Sequence, residues 1–160
     1  MTAESVDLLH NNTFQNQMKN NIWITFFLLF VFTGAASAER LAVAVSTANI
    51  RSGPGENHEI LWEAEKYYPI DVVQTSGEWY HFRDFEGDKG WIHKSLLGKF
   101  PSVITQKDDC NIRSGPGQSF PILFTVEKGV PFKEIQRKNS WIHIQHADGD
   151  EGWIYQSLVW

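Results

Sequence analysis

The sequence predicts an all-β protein made of two small tandem domains. An internal repeat and the pattern within each copy support this prediction. The heptapeptide Asn49–Gly55 returns letter for letter as Asn111–Gly117, and 22 of the 50 positions from 49 to 98 are identical at that offset of 62 without a gap. Within each copy, short strand-like segments alternate with turn residues at intervals of about 8–12, which is typical of a small barrel or sandwich. No helical period occurs between residues 39 and 160.

Composition and charge limit the classes of function. Of the 160 residues, 42% are hydrophobic and 14% aromatic, which is enough for folded cores. A unit of roughly 60 residues lies near the lower limit for a single core, and aromatic side chains help because each buries a large area. The net charge of −5, without a run of basic residues, argues against nucleic acid or an anionic membrane as partner.

The N-terminal segment has the composition of an export signal. Lys19 precedes an almost wholly apolar stretch, residues 22–32, which is followed by the small residues Ala36-Ser37-Ala38. This order predicts a secretory signal peptide over residues 1–38 and a mature chain that is periplasmic or secreted, with no membrane contact after cleavage. An uncleaved anchor is the alternative, although the stretch is shorter than the about 20 residues of a membrane span. Met18 is an alternative start of translation.

The repeat also sets the domain boundaries. We expect domain one over residues 39–98, a linker over 99–102 and domain two over 103–160. The linker is short and contains Pro101, so it restricts the geometry between the domains. Because the repeats fill nearly all of the mature chain, we expect no separate catalytic domain in it.

Each copy is predicted to begin with one alternating strand, over 41–48 and 102–110. The Ser-Gly-Pro-Gly segment cannot continue a strand, since proline lacks a donor and glycine permits positive φ, so a long loop follows. Four further strands are expected in copy one, with counterparts 62 residues later: 58–64, 68–74, 78–83 and 89–93. Tight turns over 86–88 and 148–150 join the last two strands of each copy.

Alternation across the copies predicts which side chains face the core. Tyr80 and Phe82 correspond to Ile142 and Ile144, so these positions face inward. The intervening residues face outward and are expected to be partly exposed; they are Trp79, His81, Trp141 and His143. This repeated outward Trp-x-His is the strongest functional indication in the sequence.

The motifs resemble one known family. Their order is Asn-x-Arg-x-Gly-Pro, then a central Trp, then Gly-Trp-Ile-x-x-Ser-Leu, and it is similar to that of the bacterial SH3-like (SH3b) domain over residues 41–97 and 103–160. The motif residues are Asn49, Arg51, Gly53, Pro54, Gly90 and Trp91 in copy one, and Asn111, Arg113, Gly115, Pro116, Gly152 and Trp153 in copy two. The resemblance implies two partly open barrels of five to six strands. It also implies an extracytoplasmic binding module, often attached to cell-wall hydrolases and associated with peptidoglycan peptides.

Several candidate ligand-binding residues have a structural alternative. Trp79 and Trp141 match the position of a groove tryptophan in SH3-like domains, or they shield a loop or the seam between domains. Arg51 and Arg113 could grip a carboxylate, but tying down the neighbouring loop is the favoured interpretation. Tyr67 and Tyr68 are expected to line the groove in copy one only.

Other residues favour structural roles. Trp91 and Trp153 are expected to pack within the closing strand. Cys110, the only cysteine, replaces Ala48 of copy one and is predicted to be buried and inert. His143 and His146 lie three apart in a strand and so point to opposite faces, and no metal-binding spacing is present.

The sequence is compatible with three functions. The first is a non-catalytic envelope protein that binds cell-wall peptide or an envelope protein through two barrels. The second is a structural or regulatory protein partner whose aromatic faces are occluded. The third is a hydrolase that uses Cys110 or a pair of carboxylates, which the repeat disfavours because it maps each candidate onto a structural position. No cofactor is expected.

Overall fold

The computed structural model describes residues 39–160, which form one compact unit. The predicted signal peptide, its cleavage site and the alternative start at Met18 lie outside the described residues. The described chain is all-β, as predicted. Its only helical segments are two 3₁₀ turns, Lys94–Leu96 and Gln156–Leu158.

Within residues 39–160, no helix is both long enough and apolar enough to span a membrane.

Each repeat forms one antiparallel sheet. The first sheet has the strand order β3-β2-β6-β5-β4-β1-β7 and the second β10-β9-β13-β12-β11-β8, and in neither described sheet do the two end strands pair with each other. Both domains are therefore partly open, as predicted. The strands are β1 Glu39–Val43, β2 Thr47–Arg51, β3 Ile60–Glu65, β4 Pro69–Ser76, β5 Trp79–Arg83, β6 Lys89–His93, β7 Leu97–Gly98, β8 Ser102–Ile104, β9 Cys110–Arg113, β10 Ile122–Val126, β11 Pro131–Lys138, β12 Trp141–Gln145 and β13 Glu151–Tyr155.

The single strands predicted over 41–48 and 102–110 are wrong. Each of these segments contains a break, so that β1 pairs with β4 and β7 while β2 pairs with β3 and β6. The apolar alternation runs through the break at residues 44–46, which contains no glycine or proline to mark it. We call the repeated heptapeptide, Asn49–Gly55 and Asn111–Gly117, the fingerprint. Its residues Asn49 and Arg51 consequently belong to β2, and the predicted loop begins immediately after them.

The two sheets end differently. In the first, Leu97 pairs with Val43 in the short strand β7, which gives seven strands where the resemblance implied five to six. In the second, the equivalent residues Val159 and Thr105 form an isolated bridge. Ser102, predicted to be the last linker residue, is the first residue of β8.

Each domain has its own hydrophobic core. Phe82, Ile142 and Ile144 are buried, and Tyr80 packs against the first core, which confirms their predicted inward orientation. The largest buried side chains of the first core are Ile50, Ile70, Phe82 and Ile92, and those of the second are Ile112, Phe132, Ile142, Ile144 and Ile154.

The predicted tight turns join β5 to β6 and β12 to β13. Gly87 and Gly149 have φ of 90° and 104°, which glycine adopts without the steric cost that other residues have. In copy one, Asp84 closes the turn, because its Oδ1 accepts hydrogen bonds from the backbone N–H groups of Glu86 and Asp88, both at 2.9 Å.

Side chains link the two domains. The guanidinium carbon of Arg40 lies 3.5 Å from the centroid of a Trp160 ring, and Lys128 forms an ion pair with Glu86. The ring of Tyr67 meets Phe100 of the linker edge-on, with centroids 5.8 Å apart. These contacts supplement the covalent linker in holding the domains together.

The close approach of strands at Gly90 gives a test of the packing. A Cβ there would lie 2.2 Å from Cγ2 of Ile50, which is buried and cannot move aside. We expect Gly90→Ala to lower the free energy of unfolding by about 1–3 kcal/mol, the usual effect of overpacking a core. Gly55→Ala is the control, since its Cβ would come no closer than 3.4 Å to His58. Equal midpoints for both variants in urea unfolding would contradict this packing.

Candidate functional site

An aromatic surface covers the outer face of the last two long strands of each sheet. In copy one, His81 stacks on Trp91 with centroids 4.8 Å apart, and Trp79 meets His93 edge-on at 5.3 Å. Copy two repeats the arrangement, with His143 on Trp153 at 5.0 Å and Trp141 against Tyr155 at 5.4 Å. The outward orientation predicted for the Trp-x-His pairs is thus observed, and all four side chains are partly buried by these contacts.

Trp91 and Trp153 pack outside the core. The strand alternation places the buried residues Gly90 and Ile92 on the inner face, so the intervening Trp91 points outward. Trp91 packs against His81 there, and Trp153 against His143. Their packing role is the predicted one, but its location is the outer face of the sheet.

The arginine of the fingerprint ties the following loop to its strand. Nη1 of Arg51 donates to the carbonyl oxygens of Glu56 at 2.9 Å and His58 at 2.8 Å. Nη1 of Arg113 donates to the carbonyl oxygen of Phe120 at 2.8 Å. A guanidinium has five N–H donors, so both arginines keep donors for a ligand while they perform the loop-tethering role favoured by the sequence.

The loop folds back on itself at its glycines. A Cβ on Gly53 would lie 2.5 Å from the ring of His58, and one on Gly115 would lie 2.4 Å from the ring of Phe120. Only glycine permits this close approach of ring and backbone. The loop is therefore folded tightly on itself in both domains.

A groove lies between this loop, Trp79 or Trp141, and the 3₁₀ turn of each domain. The groove of the first domain has a volume of about 380 Å³ and that of the second about 400 Å³. The first groove is lined by Thr47, Ala48, Asn49, Arg51, Glu56, Trp79, His93, Ser95 and Leu96. The second is lined by Asn111, Arg113, Gln118, Trp141, Tyr155 and Leu158.

The duplication has built the same groove twice. Each of the six residues of the second groove lies 62 positions after a residue of the first. Four of the six types are unchanged, namely asparagine, arginine, tryptophan and leucine. A polar and aromatic cleft that recurs at equivalent positions is the best candidate for a binding site in the described chain.

The grooves contain some of the predicted site residues and leave out others. Trp79 and Arg51 line the first groove, and Trp141 and Arg113 the second. His81 and His143 do not line them and stack instead on the neighbouring tryptophans. Asn49, Glu56, His93 and Leu96 and their counterparts also line the grooves, roles that the sequence did not predict, although the offset of 62 indicates the pairs.

Neither Tyr67 nor Tyr68 lines the groove, contrary to the prediction. The hydroxyl of Tyr68 donates to Oδ2 of Asp84 at 2.8 Å, and burial, together with this bond, raises the pKa of Tyr68. Tyr67 has a left-handed φ of 74°, and its counterpart Gly129 has φ of 87°, so the backbone at this position needs positive φ in both copies. Both tyrosines therefore serve the fold of domain one and its contact with the linker.

The remaining candidates, Cys110, His143 and His146, make contacts within the fold. Cys110 is 1% exposed, its Sγ donates to the carbonyl oxygen of Lys107 at 3.1 Å, and burial raises the pKa of its thiol. His143 lies 3.6 Å from a carboxylate oxygen of Glu151, and His146 lies 2.8 Å from Asp148. Among residues 39–160, no three histidine, cysteine or carboxylate side chains are grouped to hold a metal ion.

Comparison with protein families identifies the fold. The profile of the family described as "Bacterial SH3 domain" matches residues 44–99 and again 106–160. The chain belongs to the bacterial SH3 domain family. The predicted tandem SH3b organisation is confirmed.

Two relatives in sequence are named as amidases. The chain is 27% identical over 150 residues to the "Putative N-acetylmuramoyl-L-alanine amidase YrvJ" of Bacillus subtilis, an alignment that covers 86% of this chain and 29% of the relative. It is 40% identical over 52 residues to the "Probable cell wall amidase LytH" of Staphylococcus epidermidis, covering 32% of this chain and 18% of the relative. The chain thus spans less than a third of the length of either protein.

Solved structures give a distant likeness. An NlpC/P60 family protein from Bacillus cereus matches with 13% identity and a TM-score of 0.37, over 76% of this chain and 56% of that one. NlpC1 from Trichomonas vaginalis matches with 13% identity and a TM-score of 0.35, over 76% and 45%.

The unequal tethers of the two loops predict unequal losses of stability. Arg51→Met removes two charge-assisted hydrogen bonds and Arg113→Met removes one, while methionine keeps much of the apolar stem. We expect losses in the free energy of unfolding of about 1–3 kcal/mol for Arg51→Met and roughly half as much for Arg113→Met.

Urea unfolding of the two variants beside the wild type measures these losses. Gln106→Met, an exposed position outside both loops, is the control for introducing methionine. A larger loss for Arg113→Met than for Arg51→Met would contradict the assigned tethers.

Proposed function

We propose that this chain is a non-catalytic extracytoplasmic binding protein that recognises peptidoglycan peptide through its two grooves. Bacterial SH3 domains generally bind cell-wall components, and the two domains of this chain belong to that family. The observation that carries the proposal is the recurrence of one groove, with the same asparagine, arginine, tryptophan and leucine, in both domains. We place the protein in the periplasm or outside the cell.

The chemistry of the lining suits a peptide. The tryptophan ring offers a broad apolar surface with one N–H donor, and tryptophan and arginine are the residues that most often dominate binding energy. The asparagine amide can both donate to and accept from a peptide backbone. Each groove has a volume of only about 380–400 Å³, so we expect weak binding at a single site.

Two grooves in one chain compensate for weak single sites. When the first groove is occupied, the second meets a polymeric ligand at a high effective concentration, so avidity exceeds the affinity of either groove. The Arg40–Trp160 and Lys128–Glu86 contacts limit how far the domains can move apart. A repetitive wall polymer is the kind of ligand that gains most from this arrangement.

His93 and Ser95 form a hydroxyl–imidazole pair in the first groove, a combination that also occurs in catalytic sites. Nδ1 of His93 lies 2.8 Å from Oγ of Ser95, but the same nitrogen also accepts from the backbone N–H of Ser95 at 3.3 Å. His93 is thereby the cap of the 3₁₀ turn. Because Tyr155 replaces it in the second groove, we assign the pair a capping role and propose that the chain is not an enzyme.

An envelope protein is the alternative partner, and one observation favours it. The outermost strands β3 and β10 expose large apolar side chains beside an unpaired edge; they are Ile60, Leu61, Ile122 and Leu123, at 46–53% exposure. Exposed apolar edges of this kind bind protein strands. In this alternative the chain would be a structural or regulatory component of the envelope.

A sedimentation assay on insoluble peptidoglycan tests the proposal. We expect residues 39–160 to bind, Trp79→Ala and Trp141→Ala each to weaken binding by roughly tenfold or more, and the double variant to lose it, as for central aromatic residues in other interfaces. Ile135→Ala is the matched control, since Ile135 is an exposed apolar residue outside both grooves.

Far-UV circular dichroism checks that the variants remain folded. Absence of wild-type binding at low and at moderate salt would overturn wall recognition and favour the protein partner.

A further inference from the structure

The two grooves differ at two of their six shared positions, and the difference changes their charge. Glu56 of the first groove corresponds to Gln118 of the second, and His93 corresponds to Tyr155. The first groove therefore contains one arginine and one carboxylate. In the second, Arg113 is the only side chain with a full charge among the described residues that line it.

The second groove is rich in hydrogen-bond donors. The indole N–H of Trp141, the hydroxyl of Tyr155 and the amide groups of Asn111 and Gln118 can all donate, in addition to the guanidinium of Arg113. No lining residue in the described chain contributes a carboxylate to repel an anion. This set matches a carboxylate, which only accepts hydrogen bonds and binds most strongly to a guanidinium.

The two arginines also differ in the number of hydrogen bonds that they make to their loops. Nη1 of Arg51 is shared between two loop carbonyls, whereas Nη1 of Arg113 donates to one. Glu56 adds a negative charge at the edge of the first groove, which opposes an incoming anion. Asp109 corresponds to Thr47 of the first groove and is not among the residues that line the second.

We propose that the second groove binds a free carboxylate, such as the C-terminal carboxylate of a wall peptide, and that the first groove prefers a ligand without one. This inference rests on the proposed function and assigns a ligand class to each groove. A chain with two such grooves distinguishes peptide ends from peptide interiors on the same polymer. Glu56 and Gln118 are the residues that determine this specificity.

Titration with a matched pair of probes tests the inference. The probes are N-acetyl-alanyl-alanine with a free C-terminal carboxylate and the same dipeptide with a C-terminal amide. The indole ¹H–¹⁵N signals of Trp79 and Trp141 report on the two grooves separately, once assigned with Trp79→Phe and Trp141→Phe. We expect the Trp141 signal to respond to the carboxylate at about tenfold lower concentration than to the amide, since charge-assisted hydrogen bonds are roughly twice as strong as neutral ones.

Exchange of the two specificity residues provides the matched controls. Both are exposed, so their substitution should leave the fold intact. Gln118→Glu is expected to abolish the preference at Trp141, and Glu56→Gln to create a preference for the carboxylate at Trp79. An equal response of Trp141 to both probes, no response to either, or unchanged preferences in the two variants would each overturn the inference.

This experiment separates the inference from the proposed function. Wall binding in the sedimentation assay without discrimination between the probes overturns the ligand assignment alone. Discrimination between the probes without wall binding overturns wall recognition and leaves the carboxylate site in place.

Discussion

Each groove depends on the hydrogen bonds that the fingerprint arginine donates to the loop that follows it in the chain. The loop leaves the sheet because its proline and glycines cannot continue a strand, so its carbonyl groups need other partners. Arg51 supplies them from the end of β2, and Arg113 from the end of β9. The loop is thereby held at one side of the groove, across from Trp79 or Trp141, and the same arginine that holds the loop also lines the groove.

One pair of core positions has kept its summed volume after the duplication, while two positions of the groove lining have diverged. Ile70 and Phe82 of the first core correspond to Phe132 and Ile144 of the second, so the large and small side chains have exchanged places. Such compensated changes keep the backbone nearly the same, because total core volume is what packing requires. The open groove is free of this requirement, and a change such as Glu56 to Gln118 alters its charge at little structural cost.

Much of the fold follows from the sequence, and the groove only in part. The repeat offset and the alternation around Phe82 predicted the two domains and the outward tryptophans. The break between β1 and β2 was missed because no glycine or proline marks it, and the left-handed Tyr67 is indicated only by Gly129 in the other copy. The lining by Asn49 and His93 depends on strands distant in sequence meeting across the sheet, which alternation within one strand cannot show.

The most direct test of the central claim is a crystal structure of residues 39–160 with a soluble disaccharide-peptide released from peptidoglycan. The account predicts peptide bound between the loop and Trp79 or Trp141, in contact with the neighbouring Asn49 or Asn111. A ligand bound only at the exposed edges of β3 or β10, or only in the cleft beside Arg40 and Arg137, would contradict it.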